Sequence, residues 1–140
     1  MFNKKIAVLI FLVMVIGSNV FATTNFTLDI TGIEINNGQI HVKVFSNERE
    51  YKNDIPYIFF VLESTSSGII HTLEIPDGEY LIVVFQDTNN NGVLDTNFLG
   101  IPREPSGISN YTEGIPVGWR KHKFQVNNNL NRIMINIGRV

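Results

Sequence analysis

The chain has 140 residues, 11 basic and 13 acidic side chains, and no cysteine. A formal charge of −2 lacks the basic surplus that binding to nucleic acid or an anionic membrane requires. The missing cysteines exclude disulfides and attachment of a lipid through a lipobox thiol, so a folded domain must rest on its apolar core alone.

The first 22 residues read as an export leader. Lys4 and Lys5 precede an apolar run from Ile6 to Ile16, and Gly17, Ser18 and Asn19 follow it. Val20-Phe21-Ala22 offers a peptidase site, and the apolar run is shorter than the roughly 20 residues that span a bilayer. The expectation is export to the bacterial periplasm or the medium, with no membrane span after cleavage. Taking 22 residues from 140 leaves 118, the size of one domain over residues 23–140. Lys4 and Lys5 leave with the leader, so 9 basic residues would face 13 acidic ones, a balance of −4.

From Phe26 the pattern alternates. Phe26, Leu28 and Ile30 form one face of a strand, Ile33 to Ile35 continue it, and Asn36-Asn37-Gly38 marks a tight hairpin turn. Ile40, Val42 and Val44 supply the inner face of the return strand, with His41 and Lys43 opposite. Residues 46–56 are charged, end in Pro56 and read as an exposed loop. Tyr57 to Leu62 is an unbroken apolar run, which predicts a strand covered on both faces. After a turn over Ser64 to Gly68, Ile69 to Ile75 predicts another strand, stopped by Pro76-Asp77-Gly78. Leu81 to Phe85 is the most β-like run and is expected at the centre of a sheet. A final hairpin is expected from Trp119 to Val126 and Leu130 to Ile137, turning at Asn127-Asn128-Asn129.

About seven short strands without helical periodicity predict an all-β, antiparallel sandwich. The turn Pro76-Asp77-Gly78-Glu79-Tyr80 before a buried strand resembles that of transthyretin-like and carboxypeptidase-regulatory sandwiches; an immunoglobulin-like strand order is the alternative.

A long loop over 87–118 separates the central strand from the final hairpin. It opens with Asp87, Asn89, Asn91, Gly92, Val93 and Asp95, the spacing of positions 1, 3, 5, 6, 7 and 9 of a calcium loop. In that pattern three side-chain oxygens meet a hard cation, Gly allows the sharp turn, a backbone carbonyl serves at the seventh position and an oxygen at the ninth. Phe98 stands where the full motif has a bidentate Glu, so the last ligand must come from elsewhere, with Glu104 or Asn97 as candidates. Few carboxylates suit extracellular calcium at roughly 0.1–1 mM. The same residue types also dominate metal-free turns. In the second half of the loop, Phe98, Leu99, Ile101 and Ile108 offer apolar side chains to pin it onto the sandwich.

The run from Gly78-Glu79-Tyr80 through Phe85-Gln86-Asp87 to DTNNNGVLDTNFLGIPREPSGISN resembles the signature of bacterial exported proteins grouped as domain of unknown function 2141. Shared features are the D-x-N-x-N-G-x-x-D-T-N loop and the G-I-P-x-E-x-x-G-x-S-N segment that follows. The resemblance is dense over residues 78–110 and extends across the mature chain; Trp119-Arg120-Lys121 departs from the acidic or small residues common there. It implies an exported β-domain and carries no activity with it.

Catalytic patterns are sparse. His41, His71 and His122 show no short ligand spacing, no G-x-S-x-G elbow occurs, and Ser106 and Ser109 have no base nearby in sequence. Tyr111 and Trp119 suit packing at the sandwich edge better than a ligand platform. Two functional readings result. One is a non-enzymatic binding or structural module whose calcium-ordered loop meets a protein or glycan of the cell envelope. The other is a hydrolase or isomerase using Glu104, Arg103 or a histidine, with its site at residues 98–110.

Overall fold

The computed structural model describes residues 21–139, so nearly all of the expected leader (1–22) lies outside the described residues. Eight strands form two packed sheets, the expected all-β sandwich. They are β1 (Thr23–Thr31), β2 (Gln39–Phe45), β3 (Ile58–Glu63), β4 (Gly68–Pro76), β5 (Gly78–Asp87), β6 (Ser106–Ile108), β7 (Phe124–Val126) and β8 (Arg132–Asn136). One sheet has the order β4-β1-β8; the other runs β3-β2-β5-β6, with β7 pairing the start of β5. Among the described residues no helix is long and apolar enough to cross a membrane.

Alternation builds the core as the sequence predicts. Phe26, Leu28 and Ile30 on β1 meet Ile40, Val42 and Val44 on β2 and Ile82 and Val84 on β5 in one buried cluster. Phe26 stacks on Phe124 with ring centroids 5.5 Å apart. Strand β5 is central and buried on both faces, because Leu81 on its outer face joins Phe45, Ile108 and Trp119 in a second cluster. Trp119 is therefore packed away, whereas Tyr111 is exposed.

Several local expectations are corrected. The sandwich is not wholly antiparallel, since β1 and β8 pair in parallel from Thr27↔Arg132 to Thr31↔Asn136. Asn36-Asn37-Gly38 does turn the chain, with Asn36 and Gly38 at positive φ, but it crosses between sheets: β1 pairs β4 while β2 pairs β3 and β5. The final segment is no hairpin either, because β7 joins β5 and β8 joins β1. Trp119–His122 is a short helix, α2, which places His122 in a helix.

The charged 46–56 segment also folds into a helix, α1 (Glu48–Asn53), started and stopped by its own side chains. Asn47 Oδ1 accepts from the Glu50 N–H at 2.9 Å, Glu50 Oε2 accepts from the Ser46 N–H at 2.8 Å, and Asp54 ends the helix in the left-handed region. Tyr51 then packs edge-on against Phe45. Strand β3 is covered on one face only, because it is a sheet edge and leaves Phe59 and Val61 half-exposed.

Gly38 ties the crossover to the start of the long loop. A Cβ there would lie 1.9 Å from the Asp87 carbonyl oxygen, on a backbone with φ of +75°. Gly38→Ala is expected to cost about 2 kcal/mol or more, through clash and left-handed strain together. Reversible thermal or urea unfolding checks this, and a wild-type midpoint would contradict the close approach.

Candidate functional site

Asp87 ends β5 and is almost wholly buried. Its Oδ1 accepts from the Asn91 N–H at 3.1 Å and its Oδ2 from the Gly92 N–H at 2.7 Å. His41 Nε2 lies 3.5 Å from the same Oδ2, with its ring against Phe85 at 4.9 Å. The turn closes because Asn90 and Gly92 take positive φ and because Asn89 Oδ1 and Asn91 Oδ1 accept from the N–H groups two residues on.

Three of the predicted ligand side chains, those of Asn89, Asn91 and Asp95, come together. The Nδ2 groups of Asn89 and Asn91 both reach the Asp95 carboxylate, the latter at 3.1 and 3.2 Å. Val93 has an exposed side chain and donates its N–H to Asn91 Oδ1 at 3.0 Å. Among the described residues, no three His, Cys, Asp or Glu side chains gather as a metal-ligand group. The cluster is amide-rich, in keeping with Asn at the third and fifth positions.

Glu104 is buried and grips the backbone at both ends of this turn. Its Oε1 accepts from the Thr88 N–H at 2.9 Å and the Thr88 hydroxyl at 3.2 Å, and its Oε2 accepts from the Asp95 N–H at 3.0 Å. Asn97 is likewise engaged, its Oδ1 accepting from the N–H groups of Leu99 at 2.9 Å and Ile101 at 3.0 Å. The Thr96↔Pro102 bridge and the Arg103 N–H to Asp95 carbonyl bond at 2.8 Å complete a small hairpin.

The tip of that hairpin corrects an expectation. Phe98 is 94% exposed and Leu99 68%, so neither pins the loop to the sandwich; of the four apolar candidates only Ile108 is buried. Beside the hairpin lies a groove of about 1150 Å³, floored by Phe45, Val83, Phe85 and Ile108 and rimmed by Lys43 and Ile101.

The family model described as "Uncharacterized protein conserved in bacteria (DUF2141)" matches residues 28–134. The chain belongs to this family. No curated protein and no solved structure matches it.

Several residues between Gly100 and Asn110 have structural roles. Gly100 takes positive φ in the hairpin turn, Glu104 clasps the loop, and Gly107 packs where a Cβ would sit 2.7 Å from the Asn136 carbonyl oxygen. Ser109, fully buried, accepts from the Ile82 N–H at 3.0 Å and donates to the His122 carbonyl at 2.7 Å. Asn110, at positive φ, donates to the Lys123 carbonyl at 3.0 Å. These bonds make the second half of the loop a strap, not a linker.

Two polar residues outside the sequence-based site also hold it. Gln86, fully buried, accepts from the Glu34 N–H at 2.9 Å and donates to the carbonyls of Glu34 at 2.6 Å and Asn37 at 2.7 Å. The only signal for it in the sequence is a polar residue interrupting the apolar run of β5. Arg139 joins Glu34, at 3.0 and 3.1 Å, to the Arg103 carbonyl at 2.7 Å.

Glu104→Ala is expected to cost about 2 kcal/mol by stripping two backbone N–H groups of a charged acceptor. Glu104→Gln, which keeps one acceptor oxygen, should cost less. Chemical unfolding of both variants checks the order, and equal losses would contradict the clasp.

The Arg139 guanidinium, with help from the Asn37 amide, holds the Glu34 carboxyl below the usual glutamate range. Since the folded-state value is the lower one, this stabilisation is present above the unfolded pKa and is lost as pH falls through the folded value. Arg139→Ala should therefore lower the melting temperature slightly at neutral pH, and the gap should narrow below the glutamate range, where only the bond to the Arg103 carbonyl remains. A gap that stays constant across a pH series would contradict this linkage.

Proposed function

We propose that this is an exported β-sandwich binding module whose 87–95 turn takes a calcium ion and so fixes the hairpin that carries Phe98 and Leu99. One observation carries the reading: the polar ends of Asn89 and Asn91 converge on the Asp95 carboxylate beside buried Asp87, at the spacing of a calcium loop. In this structure the Asn89 and Asn91 amide N–H groups face the Asp95 carboxylate. Rotating each amide by a half-turn would present oxygen to an ion instead, in exchange for the bonds those oxygens accept from the Asn91 and Val93 N–H groups. The asparagine and aspartate oxygens, with the Val93 carbonyl, would then hold the ion. Each Asp87 oxygen, given one backbone N–H, keeps a second lone pair for it.

Glu104 supports the site chiefly by holding its backbone. The ion would add positive charge beside the Asp87 and Asp95 carboxylates. The exposed apolar tip and the groove beside it then face a protein or glycan of the cell envelope, in a periplasmic or secreted setting. A large exposed apolar tip on a braced hairpin is a feature of recognition surfaces.

The alternative of a hydrolase or isomerase at residues 98–110 has weaker support. Glu104, its natural base, is turned inward with both oxygens on backbone N–H groups, and Arg103 is exposed.

Isothermal calorimetry and thermal melts in a calcium series test the proposal. Binding in the high micromolar to millimolar range is expected, with a melting temperature that rises with calcium because the ion binds only the folded state. Asp95→Asn should abolish the calcium-dependent shift while leaving the calcium-free melt within about 1 kcal/mol of wild type. No heat and no shift in millimolar calcium would refute the metal site.

A further inference from the structure

The two long sides of the sandwich are finished differently. On one side β6 closes the gap between the sheets: it pairs β5, and Ser106 exchanges backbone bonds with Gly138 just beyond β8, at 2.9 and 3.1 Å. On the other side the edge strands β3 and β4 lie one above the other, joined across the sheets by Phe60 stacked on His71 at 4.5 Å. Nothing among the described residues pairs with the outer edge of either strand from Ile58 to Leu62 or Ile69 to Ile75.

The core is unfinished along that side. Ile58, Phe60 and Leu62 on β3 and Ile69 and Leu73 on β4 face the core yet are only partly buried. Their outward neighbours Phe59, Val61 and Ile70 are exposed at 51%, 38% and 65%. Edge strands normally carry a protecting device, such as lysine, a bulge or an internal proline. Neither strand has lysine, the β1–β4 register runs unbroken over nine pairs, and the only proline is the last residue of β4.

We propose that a second copy of this chain closes the open side, with β3 antiparallel to β3 and β4 antiparallel to β4 across a two-fold axis perpendicular to the strands. Each sheet then continues into its counterpart, and the half-buried row of one copy covers that of the other. A single extended peptide could pair with one edge only. Two edges one sheet-to-sheet spacing apart, about 10 Å, call for another two-layer sandwich. Charge allows the pairing: the only carboxylates on these strands are Glu63 and Glu74, each near a C-terminal end. Antiparallel pairing therefore sets each opposite an uncharged N-terminal end of the partner strand. The half-buried row and both backbone edges form the contact, and Phe59, Val61 and Ile70 flank the seam on the outer faces, which places it at the smaller end of protein interfaces.

The test is sedimentation velocity from about 10 nM to about 500 µM, a range that covers a weak contact as well as one tighter than micromolar. It is paired with amide exchange at both ends of the series. Apparent mass should double with concentration and stop there, and the β3 and β4 amides should gain protection only in the dimer. Val61→Lys with Thr72→Lys, both on outward positions of the two edges, should stay monomeric and folded. Met134→Lys, exposed at the opposite edge on β8, should dimerise like wild type. If the double variant fails to fold, the concentration dependence of wild-type β3 and β4 exchange decides alone. A monomer throughout, open-ended growth into fibres, or edge amides equally protected at every concentration (as when the chain's own N-terminal segment covers them) would each overturn the proposal.

Discussion

The long loop depends on the way two buried carboxylates are satisfied. Asp87 and Glu104 are both nearly solvent-free, and each takes its hydrogen bonds mainly from backbone N–H groups of the segment between them. A buried carboxylate without partners costs several kcal/mol, whereas charge-assisted bonds to N–H groups contribute roughly 1.5–3 kcal/mol each. The turn over residues 88–95 is therefore held from inside by Asp87 and from below by Glu104. Removing either leaves unpaired donors as well as a lost contact.

That arrangement links loop to fold. Asp87 is the last residue of β5, which is buried on both faces, and its carbonyl packs against Gly38 in the crossover between the sheets. Gln86, one residue earlier, fastens the same crossover. From Glu104 the chain runs directly into β6, which seals one side of the sandwich, and Ser109 anchors its far end beneath α2. The loop is thus a structural wall of the domain as well as its candidate site. The opposite wall, at β3 and β4, has no such strap.

Much of this was legible in the sequence, and the failures share a cause. Alternation at Phe26, Leu28 and Ile30, and at Ile40, Val42 and Val44, gave the core faces correctly because side-chain period is local. The oxygen spacing marked Asn89, Asn91 and Asp95, whose side chains do converge, because so short a turn cannot scatter them far. Pairing partners are another matter. Asn36-Asn37-Gly38 specifies a turn but not whether the next strand lies beside the last or in the other sheet, and the parallel β1–β8 pair joins residues more than a hundred positions apart. The unbroken apolar run at β3 predicts cover on both faces, whereas β3 is an edge whose outward face is exposed. The α1 helix went unread for a different reason: its signal lies in the capping residues Asn47 and Glu50, not in apolar periodicity.

The central claim is that the loop is preformed by its own hydrogen bonds around Asp87 and Glu104, with an ion as an addition to an existing cradle. Residue-resolved amide exchange of the calcium-free protein tests this most directly. The Thr88, Gly92, Asp95 and Arg103 amides, each bonded within the loop, should be protected relative to exposed Asn89 and Phe98 before any metal is added. Exchange at the rates of an unstructured chain throughout residues 88–104 would contradict the account.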